Sequence, residues 1–448
     1  MAQDFITQVY NAFNPFEPLK PGDPAYVNCS EVRGNEDIFR EIGRKILRSD
    51  PYTCQLYTGH RGAGKSTELL RLKEYLEKKG CFVVYFGATE GDIDEQDAQY
   101  TDILLACTRH ILEELKNYAK PDPLLHWLNS RWDSLKELAL SEVDFSQLTI
   151  EAQINIFAKL TASLRRIPRS REIIREQVDL NSISLIDALN QFIAEAQQQF
   201  NSQNKLVIIA DNLDRIVPVF RENGHTNHEE IFLDYNSQLT ALNCHVVYTI
   251  PISLAYSKQA TELRNLYDTP QILPMIMIKD RNDQPCEAGL NKVKEIFEKR
   301  IHPIATKNQR DNIDIDTDIF ESAETRLELC RMSGGHVREM MLLMQTSMDS
   351  VDNFPITNSA INYAINEARD RTYRSAVNHD EWVKLVAVYR SKNIPNESEY
   401  RDLLFRRCVL EYRSPNLNGD CTSWYDVHPM IIDIEEFQYA LNHTEIYG

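Results

Sequence analysis

"YTGHRGAGKSTELLRL", residues 57–72, decides the fold. Inside it, Gly59-His60-Arg61-Gly62-Ala63-Gly64-Lys65-Ser66 satisfies the pattern G-x-x-x-x-G-K-[ST] at every defined position. Such a loop aims backbone N–H groups and a helix start at an anion, and its glycines allow close approach. Lys65 is expected to neutralise the β and γ phosphates, and the Ser66 hydroxyl to take a place on Mg²⁺. Residues 59–67, Thr67 included, are therefore the expected cradle of a nucleoside triphosphate.

The flanks agree with that reading. "QLYT" before the loop is strand-like, "TELLRLKEYLEKKG" after it is a helix ended by Gly80, and "CFVVYF" is a second strand. Three later apolar runs, "NKLVIIADNLDRI", "CHVVYTIP" and "PQILPMIMI", read as buried parallel strands. The expected fold class is α/β: a P-loop NTPase with a parallel sheet flanked by helices. "LVIIAD" ends in Asp211, a carboxylate placed to hold Mg²⁺ through water. Asp214, three residues on, either orients an attacking water or caps a helix.

Bulk properties bound the alternatives. With 448 residues, two to four domains are expected, and 42% apolar residues suffice for proper cores. A net charge of -18 does not favour a protein that coats nucleic acid by general attraction. The nine cysteines form no C-x-x-C and are odd in number, which reads as reduced thiols in a cytoplasmic protein. Met1-Ala2-Gln3-Asp4 lacks the basic start and apolar run of a signal peptide, and no apolar run is long enough for a membrane span.

Outside the sheet, prolines 15, 18, 21 and 24 suggest an extended arm over residues 1–29. Ile38, Ile42 and Ile46 are spaced as one helix face. From about 100 to 200 the pattern is helical, with a stripe at Ile150, Ile154, Phe157 and Leu164, and about 119–182 exceeds what a strand crossover needs. That insertion carries Arg165, Arg166, Arg169, Arg171 and Arg175, either a solvated face or a site for phosphate or an acidic partner. His225 and His228 have metal-like spacing but no supporting third ligand. "VLEYRSPNLNGDCTSWYDV" reads as a hairpin turning at Asn418-Gly419.

With these residues assembled, the chain resembles the AAA+ and STAND ATPases. "ADNLDRI" is similar to the D-x-L-D-R element of KAP-type ATPases and the D-x-L-D of NACHT-type STAND proteins. "RMSGGHVREMMLLM" resembles the sensor-2 element of origin-recognition-type AAA+ proteins, which implies that Arg338 reaches the γ phosphate from a lid. "HVVYTIP" resembles a sensor-1 strand with Thr249 at its tip, "VRGNEDIF" an adenine-side R-G-x-E box, and "WYDVHPMI" the wing of a winged-helix domain. Asn212 stands where the group carries an acid, which implies slow turnover and moves the catalytic role to Asp214.

The implied organisation is an arm over 1–29, an ATPase core over 30–290, a helical lid over 291–372 and a winged-helix-like domain over 373–448. Lys65, Asp211, Asp214, Thr249 and Arg338 are the expected catalytic set, with ATP and Mg²⁺ as cofactors. The implied function is an ATP-dependent switch, acting on a homo-oligomer or a partner effector; bacterial ATPases of this kind serve in antiviral defence. The rivals are a DNA-binding loader and a nucleotide-binding scaffold without turnover. Residues 373–448 hold eight Lys and Arg against twelve Asp and Glu, which favours protein over DNA contact, although Arg401, Arg406 and Arg407 could line one face. Arg264, Arg171 and Arg175 are the candidate arginine fingers.

Overall fold

A computed structural model of the chain describes residues 4–34, 37–130, 150–200, 205–221, 224–415 and 421–444. It divides into two compact units. One comprises Met1–Ile38, Gly59–Thr67 and Ile272–Gly448, and the other Phe39–Thr58 and Glu68–Gln271.

Five strands form one sheet: β1 Cys54–Gly59, β2 Phe82–Gly87, β3 Leu206–Asp211, β4 His245–Thr249 and β5 Gln271–Leu273. Their order is β2-β3-β4-β1-β5, and β1–β4, β2–β3 and β3–β4 pair in parallel. All six residues of β3 and all five of β4 are buried, which is why these strands read as unbroken apolar runs rather than alternating ones. The register sets Tyr57 beside Thr249 and Gly87 beside Asp211, so β1, β2, β3 and β4 all end at one edge of the sheet. In open α/β sheets that carboxyl edge is where ligands bind.

Helices Tyr100–Leu115 and Ser182–Gln199 supply much of the apolar core of this unit. Phe82 stacks on Phe200 with ring centroids 5.1 Å apart, and Tyr118 meets Phe200 edge-on at 5.3 Å. The inserted helices Ile150–Arg166 and Pro168–Leu180 bury Phe157, Leu160, Leu164, Ile174 and Val178. Of the apolar stripe, Phe157 and Leu164 are thus core, and Ile154 packs partly buried against it.

The other unit begins with a helix the sequence reading did not anticipate, Phe5–Ala12, capped by Asp4 and burying Phe5 and Val9. Its eight residues precede the prolines, which had drawn the whole segment toward an extended arm. Phe13 packs on Phe297 of the helix Glu287–Lys307, and the Arg300 guanidinium donates to the Ala12 carbonyl at 3.1 Å. Helices Ala323–Met332, Val337–Asp349 and Asn358–Ala368 follow. Trp382–Ser391 and Ser398–Phe405 then lead into an antiparallel hairpin, β6 Val409–Pro415 with β7 Cys421–Val427, and the helix Glu435–His443. This is the winged-helix arrangement; the Asn418-Gly419 turn lies outside the described residues.

"PQILPMIMI" is corrected: only Gln271–Leu273 is strand. Pro274 has no N–H to give a ladder. Beyond it, Met275 N–H donates to the Glu411 carbonyl and Met277 N–H to the Val32 carbonyl. Its apolar character reflects burial of Met275, Ile276 and Ile278. Among the described residues no helix is long and apolar enough to cross a membrane.

Candidate functional site

The loop leaves β1 at the carboxyl edge of the sheet and enters the helix Lys65–Lys78. Lys65 is buried, and its ammonium donates to the Gly59 carbonyl at 2.8 Å and the His60 carbonyl at 2.9 Å. Those two bonds fold the side chain back along the loop. Gly62 has φ +95°, and a Cβ there would lie 2.7 Å from His336 Cε1 and 2.8 Å from Arg338 Cβ. Only glycine meets both demands. Arg33, from the R-G-x-E-like box, donates to the Ala63 carbonyl at 2.8 Å, so its guanidinium braces the loop. Arg61 is exposed, whereas Gly64, Ser66 and Thr67 are half-buried; the Thr67 hydroxyl accepts from Leu19 N–H at 3.2 Å.

Arg338 lies in the first turn of Val337–Asp349. Its backbone N–H donates to the Gly62 carbonyl at 3.2 Å and its Nε to the Pro15 carbonyl at 3.2 Å, and its Cζ lies 6.0 Å from the Phe16 ring centroid. The helix Val337–Asp349 therefore begins on the loop Gly59–Ser66, and the proline-containing segment holds its arginine. One residue that sequence reasoning missed is His336, the N-cap, whose Nε2 lies 2.8 Å from the Arg61 carbonyl. A ring at an N-cap was the available signal, because helices prefer Ser, Thr, Asp or Asn there.

In the sheet-bearing unit, Asp211 closes β3 and is buried. One carboxylate oxygen accepts from the Tyr85 hydroxyl at 2.8 Å and the other from Asn212 N–H at 2.6 Å. Thr249 accepts from Leu213 N–H at 2.9 Å and donates to the Ala210 carbonyl at 3.4 Å, tying the tip of β4 to the turn that carries Asp214. Asp214 is buried within the 3-10 turn Leu213–Arg215. Asn212 adopts a left-handed conformation, φ 67°, and its amide donates to Glu90 Oε1 at 3.2 Å. Tyr85 and Glu90 escaped the sequence reading because each reaches this cluster only through the β2–β3 pairing.

Two of the candidate arginine fingers are corrected. Arg171 donates to Asp97 at 2.7 Å and Asp94 at 2.9 Å, and Arg175 to Asp102 at 2.5 Å and Asp97 at 3.0 Å. Both are buried. They are spent on holding the insertion to the segment after β2, because a buried guanidinium needs paired carboxylates. Arg165, Arg166, Arg169 and Arg264 are exposed. In the C-terminal domain Arg406 is bound to Glu381 at 2.5 Å, and so does not stand on an open face. His228 is buried with Nε2 2.8 Å from the Ile216 carbonyl, and burial pushes its pKa down to about 4. That is a core histidine. Among the described residues no group of three His, Cys, Asp or Glu side chains is placed to hold a metal ion. A hydroxyl and a carboxylate are the hard oxygen donors that suit Mg²⁺, which takes few protein ligands when phosphates complete its shell.

No family model matches the chain, and no curated protein does. Solved structures with a similar course of chain include the ORC2 protein of Aeropyrum pernix in its ADP form, with 11% identity, 96% of each chain covered and a TM-score of 0.43. The same protein as ADPNP–ADP complexes gives 12% identity, 96% of each chain and 0.42. The ORC1 protein of Aeropyrum pernix in complex with DNA gives 11% identity, 97% of this chain, 96% of that one and 0.39.

Proposed function

We propose that this chain is an ATP- and Mg²⁺-dependent switch of the AAA+/STAND type, binding ATP and hydrolysing it slowly. The observation that carries the reading is the loop Gly59–Ser66 with Lys65 folded along it, opening at the carboxyl edge of a β2-β3-β4-β1-β5 sheet. Loop amides and the helix start at Lys65 would bind the phosphates, and Lys65 would offset their charge. Ser66 and Asp211 would hold Mg²⁺, which when bound neutralises charge developing on the transferred phosphoryl group. Tyr85 and Asn212 N–H fix the Asp211 carboxylate for that task. Asp214 would take the proton of the attacking water, and Thr249 would hold that water in line.

Arg338 is the group proposed to convert nucleotide state into lid position. Its Nε is held by the Pro15 carbonyl, so the arm would orient the guanidinium that a γ phosphate meets. Only such a differential contact makes ATP and ADP distinct to the lid. The residues at 373–448 carry net charge -4, and Arg406 is already paired, which supports a protein partner or a second copy over duplex DNA.

The test is limited proteolysis and sedimentation with Mg²⁺ and ATP, ADP or neither. A switch changes its cleavage pattern or assembly with ATP but not ADP. Identical behaviour in all three, with salt-sensitive binding to duplex DNA, would favour the loader.

A further inference from the structure

The phosphate loop is gripped by the helix that begins at Val337, through one neutral imidazole. His336 Nδ1 lies 3.0 Å from Glu339 N–H, and its Nε2 lies 2.8 Å from the Arg61 carbonyl. An amide N–H can only donate and a carbonyl can only accept, so Nδ1 is bare and Nε2 carries the proton. The ring is 1% exposed, and burial, aided by the Arg407 charge, holds its pKa well below the ordinary histidine value. Next along the loop, the Gly62 carbonyl accepts from Arg338 N–H at 3.2 Å. One residue earlier, the buried His60 ring accepts at Nε2 from Glu411 N–H of β6 at 3.0 Å. Residues 60, 61 and 62 are thus each tied, in order, to the C-terminal hairpin, to His336 and to Arg338.

We infer that His336 is a positioning residue for nucleotide binding: by fixing the Arg61 carbonyl, it sets the peptide planes from which the following loop amides are aimed at phosphate. This rests on the nucleotide-binding reading above. The rival is that His336 merely caps a helix. Two substitutions separate the roles. Asn reproduces the Nδ1 acceptor and is among the best N-caps, but is too short to reach the Arg61 carbonyl. Gln carries a donor where Nε2 stands and surrenders the cap geometry.

The experiment is calorimetric titration of full-length parent, His336→Asn and His336→Gln with Mg²⁺ and ATP, beside their thermal midpoints. A positioning role predicts that His336→Asn, although it keeps the cap, loses about five-fold in ATP affinity, the worth of one hydrogen bond, out of proportion to any change in its midpoint. His336→Gln then loses about 2–4 °C of midpoint and retains affinity closer to the parent. Parental ATP affinity in His336→Asn, or affinity that follows the midpoint in both variants, overturns the inference alone. A parent that binds no nucleotide overturns the nucleotide reading, and this inference with it.

Discussion

Arg175 and Asp102 form a buried ion pair, with Nη2 2.5 Å from one carboxylate oxygen and Nε 3.0 Å from the other. Arg175 is 8% exposed and Asp102 1%. Asp102 also accepts from Gln99 N–H at the start of its own helix, Tyr100–Leu115, so the pair joins the inserted helix Pro168–Leu180 to a core helix. Burial pushes the Asp102 pKa up even beside this arginine, because desolvation disfavours the charged carboxylate.

Arg175→Met is therefore expected to destabilise the protein by about 3–5 kcal/mol, because it strands a buried carboxylate. Replacing Arg165, Arg166 and Arg169 together with Ser should change stability by less than about 0.5 kcal/mol per site. Urea unfolding of both variants checks this. A large loss from the exposed trio would reverse the assignment.

Five buried histidines predict an acid limb to stability. Burial lowers His60 to about 3, His228 and His245 to about 4, and His336 and His428 well below their ordinary value. Each is neutral when folded and gains a proton only on unfolding, so the unfolded chain binds more protons below about pH 6.5. Their contribution should change little above about pH 7.5 and fall with growing slope as pH drops through 6.5 toward the folded pKa values, by up to about 1.4 kcal/mol per pH unit for each histidine. Urea midpoints at pH 7.5 and 5.5 measure it, and equal midpoints would contradict it.

Tyr373 links a buried chain of groups. Its hydroxyl donates to Glu339 Oε2 at 3.0 Å and lies 2.9 Å from His428 Nε2, while His428 Nδ1 accepts from Met430 N–H. Tyr373→Phe removes the middle of that chain and should cost about 1–3 kcal/mol by leaving partners unsatisfied. A parental thermal midpoint in the variant would show that the chain is dispensable.

The sequence made the glycine-rich loop and the strands around it legible and much of the rest only in outline. Gly59 to Ser66, the strand ending at Asp211 and the tip at Thr249 could be read locally, because a phosphate loop is contiguous and buried strands are unbroken apolar runs. Arg171 and Arg175 could not, since a cation's fate depends on carboxylates some 75 residues away. Glu90 and Tyr85 were hidden likewise behind a β2–β3 register. His336 stood in plain view, but its second partner, Arg61, is 275 residues distant.

The two carboxylates proposed for chemistry should separate by their effects. Asp211→Asn is expected to weaken Mg²⁺-dependent ATP binding about ten-fold or more, because a charged oxygen near the metal is lost. Asp214→Asn should bind ATP nearly as the parent does and slow hydrolysis by about 10²–10⁴-fold. Equal losses of nucleotide affinity would sink the division of roles.

Arg338→Ala should bind ADP close to normally and lose the ATP-specific change in protease sensitivity or assembly. Lid closure on ATP like the parent's would show that another residue couples nucleotide to lid.

The central claim is that Gly59–Ser66 is a working phosphate loop, and calorimetric titration of Mg²⁺–ATP into the parent and Lys65→Ala tests it most directly. The account predicts clear binding by the parent and a loss of about 2–5 kcal/mol in the variant, with its circular dichroism unchanged, since Lys65 supplies the charge that offsets the phosphates. Equal affinity in the two proteins, or no binding by the parent, would contradict it.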